Sequence, residues 1–239
     1  MKQASASPVA TVVPLPVRRP VQRPWYENRG YRGMTPEMSS ETYDVIKRAT
    51  DMFLVLLAMP LVLPVLVLCA IAIKVDSPGP VFFLQQRTGR GGRRFRMFKM
   101  RTMFRNAEEL KQKYMHLNEL EPPDFKISDD PRITRAGKIL RKTSLDELLQ
   151  ILNVLLGDMS LVGPRPTSFA SSTYDLWHTA RLESKPGLTG LWQVSGRNEL
   201  GFNDRVRLDV AYHRNRSWWL DIQILVRTVG AVFTARGAN

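Results

Sequence analysis

The longest apolar stretch of the chain, MFLVLLAMPLVLPVLVLCAIAI from Met52 to Ile73, runs 22 residues without a charge between Asp51 and Lys74. It is hydrophobic on every face, so it reads as a helix for lipid or a deep core and not as a surface helix with one apolar stripe. At about 1.5 Å per residue it covers roughly 33 Å, enough to cross a hydrocarbon layer of about 30 Å. Pro60 and Pro64 lie one turn apart inside it, and each removes an amide donor and clashes with the preceding turn. Basic residues crowd both ends, Lys47 and Arg48 before it and Lys74, Arg87, Arg90, Arg93, Arg94 and Arg96 after it. Positive flanks of the same sign favour a segment that enters and leaves on one face. These features predict a re-entrant helix hairpin broken near Pro64, against the plain spanning helix that length alone allows.

Beyond this run the periodicity changes. Ser77-Pro78-Gly79-Pro80 is a turn signal, and VFFLQQR, TGRGG and RRFRMFKM in succession predict two strands joined by a glycine-rich turn. Met103 to Leu120 reads as a charged helix, Arg135 to Leu156 as helix interrupted by a cap at Ser144, and Trp218 to Phe233 as a further apolar helix. The Trp218-Trp219 pair suits a membrane–water interface and suits core packing about equally. Residues 1–38, rich in Pro, Arg, Ser and Val, carry neither period and lack the order of a signal peptide, which predicts a disordered or extended basic, Pro-rich tail that stays in the cytoplasm. The expected organisation is therefore a tail over 1–38, a membrane-inserted helix over 39–76 and a catalytic domain over 77–239. The fold class is α+β, mainly helical: a single compact domain on the cytoplasmic face, with a short β-hairpin and interfacial amphipathic helices.

Charge narrows the partners. A formal net charge of +13 over 239 residues points to nucleic acid, anionic lipid or a phosphorylated substrate. The basic cluster RTGRGGRRFRMFK follows directly on the apolar run, where anionic headgroups are nearer than any nucleic acid, so no nucleic-acid partner is expected. The single cysteine, Cys69, excludes an internal disulfide and a cysteine-based zinc site, and His116, His178 and His213 have no ligand spacing.

Candidate chemistry centres on Asp146 and Glu147, in TSLDELLQILNVLLGDMSLVGPRP. Ser144-Leu145-Asp146-Glu147 fits a capping box, in which Ser144 caps the helix and Glu147 reaches back to it. A carboxylate in the first turn of a helix is also held in its charged form by the macrodipole, which suits a nucleophile. Both readings stand on this stretch alone. Lys99 and Arg101 in FKMRTM, Arg141 just before the pair, and Arg165 held between two prolines in GPRP are the cations that could meet phosphate oxygens.

Lys47-Arg48 ahead of a proline-broken apolar run, then FKMRTM, DDPRITRAGKILRKTSLDELLQILNVLLGDMSLVGPRP, KPGLTGLWQVSGRN and RLDVAYHRNRSWWLDIQIL occur in that order. Together they resemble the bacterial sugar transferases of the monotopic phosphoglycosyl transferase superfamily, in particular the short exopolysaccharide-initiating members, from Lys47 to the C-terminus. The resemblance implies an enzyme of the bacterial inner membrane, working on its cytoplasmic face. It moves a hexose 1-phosphate from a UDP-hexose, glucose or galactose, to undecaprenyl phosphate with Mg²⁺, by a ping-pong route through a covalent phosphosugar. It also implies Asp146 as nucleophile, Glu147 as its metal or proton partner with Mg²⁺ at this acid pair, Lys99 and Arg141 as phosphate binders, Asp209 as a further active-site acid and Pro64 as the membrane-helix break. Relatives often carry Ser before that proline where this chain has Leu63. Anionic membrane lipid is an expected partner, and homo-oligomerisation is compatible with the sequence. The competing reading is a non-catalytic basic scaffold or regulator of polysaccharide export attached to the membrane.

Overall fold

In a computed structural model the apolar run forms part of one helix, α1 (Ser40–Asp76). The structure describes residues 40–110, 112–119, 127, 129–169, 176–196 and 200–233, so the tail expected over 1–38 lies outside the described residues. Along α1, Val55, Met59, Val62, Leu66, Cys69 and Ile73 recur every three or four positions and face the domain. Val55 packs with Phe95, Met97, Ile151, Val154 and Met159, while Cys69 and Ile73 pack with Met100, Leu140 and Leu149. The remaining faces are exposed among the described residues, Phe53 by 65% and Leu61 by 76%. Among the described residues α1 is the helix long and apolar enough to cross a membrane, and its bare faces are the part left for lipid.

The helix continues through Pro60 and Pro64, where the sequence predicts a break into a hairpin. Both prolines lie on the exposed side. A proline opens a helix on its own side, so this placement favours curvature around the domain over interruption. Both ends of α1 are tied to the same domain. Tyr43 and Lys47 donate to Asp221 at 2.9 and 2.7 Å, and Arg48 donates to the carbonyls of Val154 and Leu155. At the far end Asp76 accepts from the Ala136 amide at 2.9 Å.

Strands β1 (Phe82–Thr88) and β2 (Arg94–Met100) form the expected antiparallel hairpin, Phe82 opposite Met100 and Thr88 opposite Arg94. Among the described residues no third strand extends it. The wholly buried Asn153 instead accepts from the Phe98 amide at 2.9 Å and donates to the Arg96 carbonyl at 2.8 Å. That side chain satisfies the free edge of β2 and docks the following helical segment on it.

Between Met103 and Leu110 only Ala107 is buried, and the predicted charged helix is replaced by turns and a short 3₁₀ segment, Met115–Leu117. Such a stretch has no apolar face to dock, and a short isolated helix does not form without one. Next come α2 (Arg135–Lys142), a 3₁₀ segment (Leu145–Gln150) and α3 (Ile151–Leu156). Two short strands, β3 (Ser160–Val162) and β4 (Gly187–Thr189), pair in parallel, with a further 3₁₀ segment (Leu176–Glu183) before β4. Helices α4 (Leu191–Ser195), α5 (Phe202–Asn215) and α6 (Trp218–Phe233) complete a mainly helical α+β fold. Trp218 and Trp219 are 40% and 38% exposed, and Trp218 Nε1 donates to Thr50 Oγ1 at 3.1 Å. The pair thus sits level with the start of the apolar run, which favours the interfacial reading over core packing.

Candidate active site

Glycine at two positions lets the backbone close around this region. A side chain on Gly137 would meet the Thr102 carbonyl at 2.0 Å, so α2 lies directly against the chain leaving β2. One on Gly187 would meet the Gly163 amide at 2.1 Å. That approach lets Gly163 donate to Thr189 and Gly187 donate to the Pro164 carbonyl, both at 2.9 Å, and pins the loop that carries Arg165.

Ser144 departs from the capping box. It holds a left-handed conformation, φ 57 and ψ 19, and its hydroxyl caps nothing. Glu147 does not reach back to it. Lys99 Nζ donates to Glu147 Oε1 at 2.9 Å, and Arg165 grips both Glu147 oxygens, Nη1 to Oε2 at 3.0 Å and Nη2 to Oε1. Burial pushes the Glu147 carboxyl up, but Arg165 and Lys99 outweigh it and hold the group well below the ordinary carboxylate range.

Asp146 is the other half of the pair and is treated differently. It is 8% exposed, yet it accepts no hydrogen bond among the described residues, and its nearest cation is Lys99 at 3.8 Å. Burial raises its carboxyl pKa, opposed chiefly by Lys99 and also by Arg141 and Arg165. The expectation that a helix N-terminus would hold this acid ionised is therefore corrected: the segment is a single 3₁₀ stretch and desolvation dominates. Arg141, exposed at the end of α2, is steadied by Nε donation to Thr102 Oγ1 at 2.9 Å.

The fold thus gathers Lys99, Arg141, Arg165, Asp146 and Glu147 from β2, α2, the 3₁₀ segment and the GPRP loop. Arg101 is placed elsewhere. It is 7% exposed and donates to the Ser77 carbonyl and hydroxyl and to the Pro78 carbonyl at 2.7 to 2.8 Å, which locks the turn after α1. Asp209 lies behind the cluster, wholly buried and paired with Arg181, whose Nη2 also donates to the Arg165 carbonyl at 2.9 Å. Its link to the cluster runs through Arg181 to the Arg165 carbonyl. Thr102, Asn153 and Arg181 are supporting residues that sequence reasoning missed. The first two look like ordinary polar residues in the sequence, and Arg181 stands in a stretch with no recognisable spacing. Among the described residues no group of three or more His, Cys, Asp or Glu converges as a self-sufficient metal site.

A nearly buried acid with uncommitted oxygens, set among three cations beside a lipid-facing helix, is suited to handling phosphoryl groups at a membrane. The chain belongs to the bacterial sugar transferase family, whose model matches residues 42–235. It is 42% identical to the galactosyl transferase CpsE of Streptococcus agalactiae serotype III over 88% of this chain and 47% of that protein. It is 38% identical to the exopolysaccharide production protein ExoY of Sinorhizobium fredii over 81% of this chain and 88% of that one. With the UDP-glucose:undecaprenyl-phosphate glucose-1-phosphate transferase of Caulobacter vibrioides it shares 42% identity over 82% and 72% of the two chains. The chain spans less than half of CpsE but most of the length of ExoY.

Proposed function

We propose that this protein transfers a hexose 1-phosphate from a UDP-hexose to undecaprenyl phosphate, the first membrane step of exopolysaccharide synthesis, through a covalent intermediate on Asp146. The observation that carries this reading is the contrast within the acid pair. Both Glu147 oxygens are engaged by Lys99 and Arg165, whereas Asp146 is nearly buried and uncommitted. An Asp146 oxygen attacks the phosphorus that bears the sugar, the bond to the bridging oxygen breaks, and UMP leaves with that electron pair. An oxygen of undecaprenyl phosphate then attacks the same phosphorus and the bond to Asp146 breaks, which restores the carboxylate. Two anionic substrates thereby visit one site in turn and need not approach each other. Lys99, Arg141 and Arg165 offset the phosphate charge, and Glu147 holds Lys99 and Arg165 in place.

Mg²⁺ fits this site in the manner of an ion carried by a phosphate substrate, which needs one or two carboxylates and takes its other ligands from phosphate and water. Asp146 has oxygens available for it, whereas those of Glu147 already face cations. When bound, the ion would add positive charge at the phosphates.

A one-faced seat in the bacterial inner membrane, with the domain in the cytoplasm, is supported by the two ends of α1. Asp51 accepts from Ser160 Oγ at 2.7 Å and Asp76 from the Ala136 amide at 2.9 Å. A straight spanning helix would set those two partners of one polar domain roughly 37 Å apart across the bilayer. ExoY and the Caulobacter vibrioides transferase, by their names, point the same way on pathway, donor and acceptor.

The test is UMP release from a panel of UDP-hexoses by protein in nanodiscs with Mg²⁺, with and without undecaprenyl phosphate. The expected result is release with one sugar, a stoichiometric burst without acceptor, and neither in Asp146→Asn. Full release by Asp146→Asn would remove Asp146 as nucleophile, and no release with any donor would favour the scaffold reading.

A further inference from the structure

One cavity of the fold shares no residue with the acid pair. It opens where the first turns of α1 meet the Arg90 turn, the approach to β4 and the end of α5. Five cations, Lys47, Arg48, Arg90, Lys185 and Arg216, line it together with the acids Asp44 and Asp51. Lys47 is paired with Asp221 at 2.7 Å and Arg90 with Asp44 at 3.0 Å. The oxygens of Asp51 are engaged by Ser160 Oγ at 2.7 Å and the Leu161 amide at 3.2 Å. Neither acid is left to neutralise the other three cations. Among the described residues Arg48 donates to the carbonyls of Val154 and Leu155, which are neutral acceptors and leave its charge uncompensated. Arg216 lies 5.5 Å over the Tyr43 ring and donates to Ser40 Oγ at 2.7 Å. Lys185 makes no hydrogen bond or ion pair among the described residues.

Depth identifies what such a cavity meets. Lys47 and Arg48 precede Met52, the first residue of the apolar run, by five and four positions. Counted along the helix axis, that places them at most about 6–8 Å beyond the hydrocarbon boundary, within the headgroup layer. We propose that this cavity binds the phosphate of an anionic phospholipid headgroup, with Arg48, Lys185 and Arg216 as its cationic contacts. The assignment rests on α1 being inserted in a membrane and is independent of the transferase reading. A soluble phosphate monoester has the same recognising chemistry, so the test separates the two sources.

Detergent-purified protein is incubated with phosphatidylglycerol or phosphatidylcholine and the retained lipids are counted by native mass spectrometry, which requires no turnover. One phosphatidylglycerol is retained in preference to phosphatidylcholine. Lys185→Gln combined with Arg216→Gln weakens that retention roughly thirtyfold, since each basic side chain near an anionic surface contributes about 1 kcal/mol. The charge-keeping pair Lys185→Arg with Arg216→Lys retains the lipid. So does Lys74→Gln with Lys138→Gln, which removes two exposed cations elsewhere, one of them at the other end of α1. Equal retention of the two lipids, an equal loss in the Lys74 and Lys138 pair, or loss in the charge-keeping pair overturns the assignment. Displacement by glycerol phosphate at matched concentration would give the cavity to a soluble phosphate and end the lipid reading.

Discussion

Asp146 and Asp221 are both buried aspartates beside cations, and they differ in how their oxygens are used. Asp221, 5% exposed, accepts from Tyr43 and Lys47 through one oxygen at 2.9 and 2.7 Å and from Tyr212 through the other at 2.7 Å. Asp146, 8% exposed, accepts from none of the described residues. A buried carboxylate without hydrogen bonds is costly and uncommon, so its persistence calls for a reason. Asp221 joins α1, α5 and α6; Asp146 faces Lys99 at 3.8 Å and accepts no hydrogen bond from the described residues. Burial alone therefore does not separate a structural acid from a reactive one. The count of engaged lone pairs does.

The comparison makes opposite predictions for the two substitutions. Asp146→Asn should lower UMP release at least about a thousandfold while leaving stability unchanged or slightly raised, because it removes an ill-solvated charge. Asp221→Asn should lower stability by about 3–5 kcal/mol, because the largely buried Lys47 is left without its carboxylate. Transfer per folded molecule should survive. Denaturation of each variant in detergent, beside its UMP release, checks both. If Asp146→Asn unfolds as readily as Asp221→Asn, the distinction fails.

What the sequence revealed follows from the range of the interactions involved. The apolar run, the β1–β2 hairpin and α6 were legible because their signals are local: period, length and turn residues. The convergence of Lys99, Arg141, Arg165 and the acid pair was expected from motifs lying far apart in the chain, and no local pattern could supply their geometry. The capping box failed for the same reason. Glu147 fits a local cap by spacing, but two long-range cations, Lys99 and Arg165, compete for it and win. Arg101 misled because its neighbour Lys99 is part of the cluster, while its own side chain comes off the end of β2 toward Ser77. Asn153 and Arg181 were invisible, since a buried polar side chain reveals its role only once the backbone group it satisfies is known.

A pH series sharpens the contrast with a third acid. Burial pushes the Asp209 carboxyl up to about 7, with Arg181 and Arg205 opposing the rise. The folded state thus holds this proton more tightly than the unfolded chain, whose carboxyl titrates near about 4. Its contribution to stability therefore declines as pH rises from about 4 to about 7 and levels off above that. Unfolding midpoints measured across this window should fall less steeply for Asp209→Asn than for the unsubstituted protein. Parallel slopes would show that Asp209 does not titrate there.

The smallest effect tests the turn that presents Asp146. Ser144 is the one described non-glycine residue with positive φ, and its hydroxyl makes no cap. A left-handed residue other than glycine costs roughly 1–2 kcal/mol, so Ser144→Gly should raise stability by up to about 1 kcal/mol after the extra chain entropy is subtracted. Ser144→Ala should stay within about 0.5 kcal/mol, whereas a working cap would lose about 0.5–2 kcal/mol. Melting temperatures of the two variants decide between strain and capping. UMP release from Ser144→Gly adds the functional half: a more stable protein with slower release would mean that the strained residue fixes where Asp146 points, and unchanged release would make the strain incidental to the site.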